Sequence, residues 1–344
     1  IAMNIRHFFK DLLIGSVNVS GLLLSQFSHG QIPTSMNAIQ IQQFGGPEVL
    51  EVQQIPVPIP AEDEILIRVH AAAINPVDTS IRSGRASGLS GATLPYVPGF
   101  DVSGVVIQTG SSNSPFNIDD EVFAMLSLRR GGGYGEYAIV KNSEAALKPE
   151  SISHDEAASV PLVALTAWQA LFDTANLQAG QTVLIHAGAG GVGSVAVQLA
   201  KWRGARIIAT ASEYNHDFLR EIGVDVPVDY RTQRFEDFAD EVDVVLDPIG
   251  GDTQDRSIDL LKEGGSLVSI VGLTAKGRNP PANVNVSSIL VDAHGDQLQQ
   301  IADLIAAGHL DPVVSYRFPL EDAPSSHEQS ETRRTRGKII LSLD

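Results

Sequence analysis

Residues Thr182-Val-Leu-Ile-His186 run without interruption into Ala187-Gly-Ala-Gly-Gly-Val-Gly193 and then into Ser194-Val-Ala-Val-Gln-Leu-Ala-Lys-Trp202. A short apolar run, a glycine-rich turn and a stretch with helical spacing, in that order, form the opening unit of a doubly wound parallel sheet. The glycines permit a tight turn and let a pyrophosphate approach backbone N–H groups at the positive end of the helix. A GxGxxG alone is weak. Here it stands between strand and helix, where the mechanism requires it, and a second apolar strand follows at Arg206-Ile-Ile-Ala-Thr210.

Working outward, Asp243-Val-Val-Leu246 and Ser266-Leu-Val-Ser-Ile270 read as further buried strands, with helical periodicity over Val195–Trp202 and Asn215–Ile222. Upstream, from Met36 to about Val160, the texture changes to β-type runs between Gly/Pro turns, such as Glu64–His70 and Asp101–Ile107. Downstream, an amphipathic helix over Gln297–Ala307 stops at Gly308, and β-like segments return at Val313–Phe318 and Lys338–Leu343. The expected architecture is α/β and discontinuous. A β-rich domain is built from residues 36–160 and 296–344, and a doubly wound Rossmann domain with a parallel sheet is inserted as residues 161–295. A chain of 344 residues exceeds what one core usually sustains, which agrees with two domains.

With 43% hydrophobic and 19% charged residues the chain has the composition of a folded globular protein. A net charge of −17 without a Lys/Arg run argues against a surface that tracks nucleic-acid phosphates. Zero cysteines exclude disulfides, thiolate catalysis and every cysteine-containing zinc site. Residues 1–35 read as an extension: Arg6, His7 and Lys10 precede Leu12–Leu24, an apolar run broken by Ser16, Asn18 and Ser20 and too short to span a bilayer. An export signal is the alternative. A cytoplasmic protein is the expectation otherwise.

About twenty residues beyond the glycine loop, an NAD-binding fold presents an acidic residue to the ribose 2′-hydroxyl. The second strand here ends Ala209-Thr-Ala-Ser212. Small neutral residues leave room for a 2′-phosphate, so NADPH (NADP) is the expected cofactor, while Glu213 argues for NADH. Ser212, Tyr230, Arg231 and Arg333 are candidate phosphate partners.

Several further stretches occur in a familiar order: Phe44-Gly-Gly-Pro-Glu-Val-Leu50, Asn75-Pro-Val-Asp78, Pro98-Gly-Phe-Asp101, Gly132-Gly-Tyr-Gly-Glu-Tyr-Ala138, Val160-Pro-Leu162 with Thr166-Ala-Trp168, and Arg336-Gly-Lys338. From Met36 onward the chain resembles the zinc-independent quinone oxidoreductase, or zeta-crystallin-like, branch of the medium-chain dehydrogenase/reductase superfamily. The resemblance implies a GroES-like catalytic domain for the β-rich part. It implies that Ala187, Gly190, Gly191, Val192 and Gly193 form the cofactor turn, that Asn75 lies beside the nicotinamide, and that Thr166 contacts the cofactor. It also implies that Tyr230 and Arg333 approach the 2′-phosphate and that Val271 and Gly272 flank the nicotinamide. A lysine that some relatives carry after the second strand is missing. Zinc alcohol dehydrogenases place cysteine where Asn75 stands and His-Glu where Phe100-Asp101 stands, so no metal is expected.

Without a metal to polarise a carbonyl, acceptors that stabilise negative charge themselves are the expected substrates: quinones and α,β-unsaturated carbonyls. Asn75, through its amide, and Tyr134 are the candidates to orient the acceptor; His186 reads as a hydrogen-bonded histidine at a strand end. Two rival readings remain, a non-catalytic NADPH-binding protein of crystallin or sensor type and an enoyl thioester reductase. The resemblance implies a homodimer, for which Ala282–Val291, with Val284 and Val286, offers an edge strand.

Overall fold

The C-terminal strand does not close the chain at its periphery but lies inside a sheet begun by the N-terminal strands. The computed structural model describes residues 32–343, so the expectations for residues 1–31 lie outside the described part; from Pro33 onward the chain forms one compact unit. Strands β1 (Ser35–Gln40) and β2 (Glu51–Pro56) pair as an antiparallel ribbon. Next come β3 (Glu64–Ile74), β4 (Asp101–Thr109), β5 (Glu121–Met125), β6 (Tyr137–Lys141) and β7 (Ala145–Leu147). The last two strands, β14 (Val314–Pro319) and β15 (Lys338–Ser342), join them in the order β14-β15-β3-β4-β5-β7, with β6 also on β3. Only β14 and β15 run parallel to each other; the remaining pairs are antiparallel.

Between these segments lie β8 (Thr182–Ile185), β9 (Arg206–Ala211), β10 (Val226–Asp229), β11 (Val242–Asp247), β12 (Leu261–Ser269) and β13 (Asn285–Ser288). They form a wholly parallel sheet in the order β10-β9-β8-β11-β12-β13. That is the doubly wound order 3-2-1-4-5-6, with its topological switch between β8 and β11. The inner strands are continuous apolar runs because helices bury both of their faces; Leu184 and Ile185 are both inaccessible although they point to opposite sides.

Helix Gly191–Arg203 starts at the glycine loop and ends where Gly204 takes a left-handed conformation (φ 82°) and donates to the Ala200 carbonyl. The amphipathic helix foreseen over Gln297–Ala307 spans Gly295–Ala306, buries Leu298, Ile301, Ala302 and Ile305, and starts two residues early because the His294 ring caps the Gln297 N–H. The edge segment foreseen at Ala282–Val291 contains β13, which pairs with β12. No helix among the described residues is long and apolar enough to cross a membrane.

Candidate active site

All six strands of the parallel sheet deliver their C-terminal ends to one edge, and nine of the residues expected to hold a dinucleotide follow them there. At the end of β8, His186 is buried with both ring nitrogens engaged, Nε2 with Ser257 Oγ at 2.8 Å and Nδ1 with Thr210 Oγ1 at 3.1 Å. Burial pushes it down to about 4, so it is neutral at neutral pH and belongs to the turn's framework.

Ala187 adopts φ 51°, and Gly190 caps the helix that follows. A Cβ on Gly193 would lie 2.2 Å from the Ala187 carbonyl oxygen, and one on Gly188 would lie 2.9 Å from Ala209 Cβ. Those two glycines serve close helix–strand packing. The N–H groups of Gly191, Val192 and Gly193 open the helix and lack intrahelical acceptors, which is the donor set a pyrophosphate requires. The cradle therefore fits a dinucleotide.

Ser212 follows β9, and Tyr230, at the end of β10, donates its N–H to the Ala211 carbonyl. Val271 and Gly272 form an exposed turn after β12, where the Gly272 carbonyl accepts from Ser269 Oγ and from Gln254 Nε2, each at 2.9 Å. The structure thus gathers Ala187, Gly190, Gly191, Val192, Gly193, Ser212, Tyr230, Val271 and Gly272 along one edge. Arg333 is exposed in a left-handed conformation (φ 56°).

A second constellation closes the cradle from the antiparallel sheet. Register Ile339↔Ile74 brings Lys338 beside Asn75. Its buried ammonium donates to the Ile74 carbonyl (3.0 Å), to Asn75 Oδ1 and to Asp101 Oδ2 (3.1 Å). Asn75 Nδ2 donates to Asp101 Oδ2 at 2.9 Å, and Asp101 Oδ1 accepts the Leu162 N–H at 2.7 Å, in the first turn of helix Pro161–Trp168. Burial pushes the Asp101 carboxyl up, while Lys338, Asn75 and the Leu162 N–H act in the opposite direction. A Cβ on Gly191 would meet Val163 Cγ1 at 3.1 Å and Lys338 Cδ at 3.2 Å, so the triad lies directly against the glycine loop. Thr166, on the same helix as Val163, is buried and bonds back to the Leu162 carbonyl at 2.6 Å.

Of the two expected acceptor-orienting residues, Tyr134 needs correction. The Asn75 amide donates one N–H to Asp101 and accepts from Lys338 through Oδ1, which fixes its orientation and leaves the second N–H of Nδ2 beyond these two bonds. Tyr134 is wholly buried, packed so tightly under Gly99 that a Cβ there would lie 2.3 Å from its ring. Its hydroxyl faces Asp78, not the cradle, and burial with the neighbouring carboxyl raises its pKa well above the ordinary tyrosine value. Asp78 accepts the Asn75 N–H at 2.7 Å through Oδ2 and has no hydrogen-bond partner at Oδ1; burial pushes it up to about 7. Sequence reasoning assigned no role to Asp101 or Lys338. The available signal was an ionisable residue at the start of each of two apolar strands.

Two family models match the chain: "Alcohol dehydrogenase GroES-like domain" over residues 61–150 and "Zinc-binding dehydrogenase" over residues 222–341. The chain is 36% identical to the chloroplastic NADPH-dependent alkenal/one oxidoreductase of Arabidopsis thaliana, over 90% of this chain and 80% of that protein. It is 33% identical to the quinone oxidoreductase of Sus scrofa, over 90% and 98%. Among solved structures, the quinone oxidoreductase of Coxiella burnetii superposes with TM-score 0.84 at 37% identity, covering 90% of this chain and all of that one. The Escherichia coli quinone oxidoreductase complexed with NADPH superposes with TM-score 0.79 at 29% identity, covering 89% and all of it. The donors present do not fit the zinc that the second model's description mentions. Asn75 and Asp101 are bound to Lys338, Phe100 carries no donor atom, and no group of three His, Cys, Asp or Glu residues among the described residues could hold a metal.

Lys338→Met should cost about 3–5 kcal/mol in urea unfolding, because Asp101 stays buried without its counter-ion. Adding Asp101→Asn should return part of that loss; strictly additive losses would show that the pair is uncoupled. For Asp78, a pKa raised on folding means a proton is held more tightly in the folded state, so stability falls as pH rises from about 4 toward about 7. Asp78→Asn should remove that fall, gaining on the parent by up to about 1.4 kcal/mol per pH unit across this window, and parallel pH–stability curves would contradict it.

Proposed function

Because the chain belongs to the quinone oxidoreductase branch of the medium-chain dehydrogenase/reductase superfamily, we infer that it is an NADPH-dependent oxidoreductase reducing quinones or α,β-unsaturated carbonyls by hydride transfer without zinc. The observation that carries this reading is the glycine cradle of Gly188–Gly193 backed by a buried Lys338–Asp101–Asn75 triad in place of metal donors. In this reading residues 36–160 and 296–344 form the catalytic domain and residues 161–295 the cofactor domain, and the cytoplasm is the compartment.

When bound, the nicotinamide supplies the hydride. The chain's own contribution is positioning. The N–H groups of Gly191, Val192 and Gly193 receive the pyrophosphate, and Ser212 and Tyr230 border the adenosine end. Val271 and Gly272, clamped through the Gln254–Asp247 bond at 2.7 Å, and Thr166 line the nicotinamide end. Asn75 is held rigid by Lys338 and Asp101 and forms a fixed wall beside the acceptor. Quinones and enones delocalise the incoming negative charge themselves, so the chain needs no strong acid there, and the proton comes from solvent.

We also assign a homodimer joined through the free edge of β13, with Leu290, two residues beyond that strand, 56% exposed. Leu290→Glu should then sediment as a monomer while keeping its thermal midpoint; a parent protein that is itself monomeric removes the assignment.

The deciding assay follows NADPH and NADH absorbance with 1,4-benzoquinone, 9,10-phenanthrenequinone, a simple enone and an enoyl thioester, with and without chelator. Chelator-insensitive turnover that prefers NADPH is expected. Tight NADPH binding with no turnover of any acceptor would favour the non-catalytic reading, and turnover of an enoyl thioester alone would favour the thioester reductase.

A further inference from the structure

The turn after β9 receives a cation from the opposite end of the chain. Arg336 Nε donates to Asn215 Oδ1 at 2.9 Å, and Asn215 Nδ2 donates to Ser212 Oγ at 3.3 Å. Its guanidinium carbon lies 5.2 Å from the Tyr214 ring centroid and 4.8 Å from that of Phe218, so two aromatic rings support it. No carboxylate among the described residues pairs with it, in a chain of net charge −17.

The backbone on either side of that guanidinium is pinned. The Arg336 carbonyl accepts from Ser315 Oγ at 2.6 Å. The next residue, Gly337, donates its N–H to the Ala189 carbonyl at 2.9 Å and bridges Gly190. Gly337 has φ 61°, and a Cβ there would lie 2.2 Å from the Val313 carbonyl oxygen, so only glycine fits where the chain passes this point. Arg336 is thereby tied at its backbone to the pyrophosphate cradle and at its head to the end of the second strand. Those are the two landmarks between which the adenosine ribose of a dinucleotide lies.

We propose that Arg336 is the residue that selects the 2′-phosphate of NADPH over the 2′-hydroxyl of NADH. The inference rests on the NADPH reading above and names the side chain that enforces it. A dianionic phosphate entering an acidic protein needs a local cation, and the turn itself supplies none: Ser212, Glu213, Tyr214 and Asn215 are neutral or acidic. Asn215 and the two rings orient the guanidinium before the nucleotide arrives, so little side-chain freedom is lost on binding. Glu213, which pointed toward NADH in the sequence, is turned to a different use: its N–H serves the Asp229 carboxylate and its side chain is exposed. Arg333, the sequence candidate for this task, shares the same C-terminal segment but is exposed.

The experiment titrates the parent protein, Arg336→Gln, Arg336→Lys and Arg333→Gln with NADPH, NADH, 2′,5′-ADP and 5′-AMP, and measures KM and kcat for both reduced cofactors. Arg336→Gln should weaken NADPH and 2′,5′-ADP by about 10- to 100-fold, the loss of a charge-assisted contact, with NADH, 5′-AMP and kcat within about twofold of the parent. Arg336→Lys should recover part of the loss, and Arg333→Gln should change the NADPH/NADH ratio by less than about threefold. Equal weakening of both cofactors would reduce Arg336 to a structural residue and overturn the proposal, as would a larger effect at Arg333. A parent protein that binds NADPH tightly while Arg336→Gln keeps its preference overturns this assignment alone; a parent that binds neither cofactor overturns the NADPH reading itself.

Discussion

The buried ion pair between Lys338 and Asp101 is the constraint around which the rest of the site is arranged. Removing two charges from water is costly, and the cost is offset only when geometry is good and the remaining donors and acceptors are satisfied. Here they are: the ammonium has three oxygen partners, and both carboxylate oxygens are engaged. The partners come from β15, from β4, from the end of β3 and from the helix after Val160, so satisfying one charge places four segments at once. The glycine loop then rests on the result, because the Lys338 stem runs past Gly191 closely enough that a Cβ there would crowd it at 3.2 Å.

Rigidity and freedom are divided between the two sides of the cradle. On the parallel-sheet side the turns are held by polar clamps beneath them. Asp247 accepts the Ile249 and Gly250 N–H groups and the Gln254 amide, which in turn holds the Gly272 carbonyl, while Thr210 and Ser257 hold His186. Val271 stays exposed above these clamps. On the other side a cluster of cations stands in this otherwise acidic chain, Arg333, Arg334, Arg336 and Lys338 within six residues of the C-terminal segment. A protein of strongly negative charge repels a phosphorylated nucleotide at long range, and a local basic segment beside the helix N-terminus counteracts that repulsion where contact is made.

A third region lies behind Asn75, whose N–H Asp78 accepts. Asp78, Tyr96, Tyr134 and His327 are buried together, and each has a polar atom without a protein partner. Burial pushes the Asp78 carboxyl and the Tyr96 hydroxyl up and the His327 imidazole down to about 3, so each of the three is driven toward its neutral form. These groups set how stability responds to pH.

What could be read from the sequence was whatever is encoded over a few consecutive residues. The order strand, glycine turn, helix at Thr182–Trp202 follows from hydrophobic period and from the backbone freedom of glycine, and neither needs any distant residue. The same holds for the continuous apolar strands of the parallel sheet and for the helix that buries Leu298, Ile301 and Ile305. The chemistry of single positions was legible only as a list of types. That Asn75 is held by Lys338 and Asp101, 263 and 26 residues away, and that Asn215 receives Arg336 across 121 residues, had no local trace. Tyr134 looked available because a tyrosine among glycines is locally unconstrained, whereas its burial is decided by Gly99 and His327. The sequence by itself determined the strands, the helices and the cradle, because hydrophobic period and glycine conformation are properties of short segments. Only the tertiary structure decided which charged and polar side chains meet over that cradle, because a buried charge finds its partner by proximity in space, across whatever length of chain the sheets bring together.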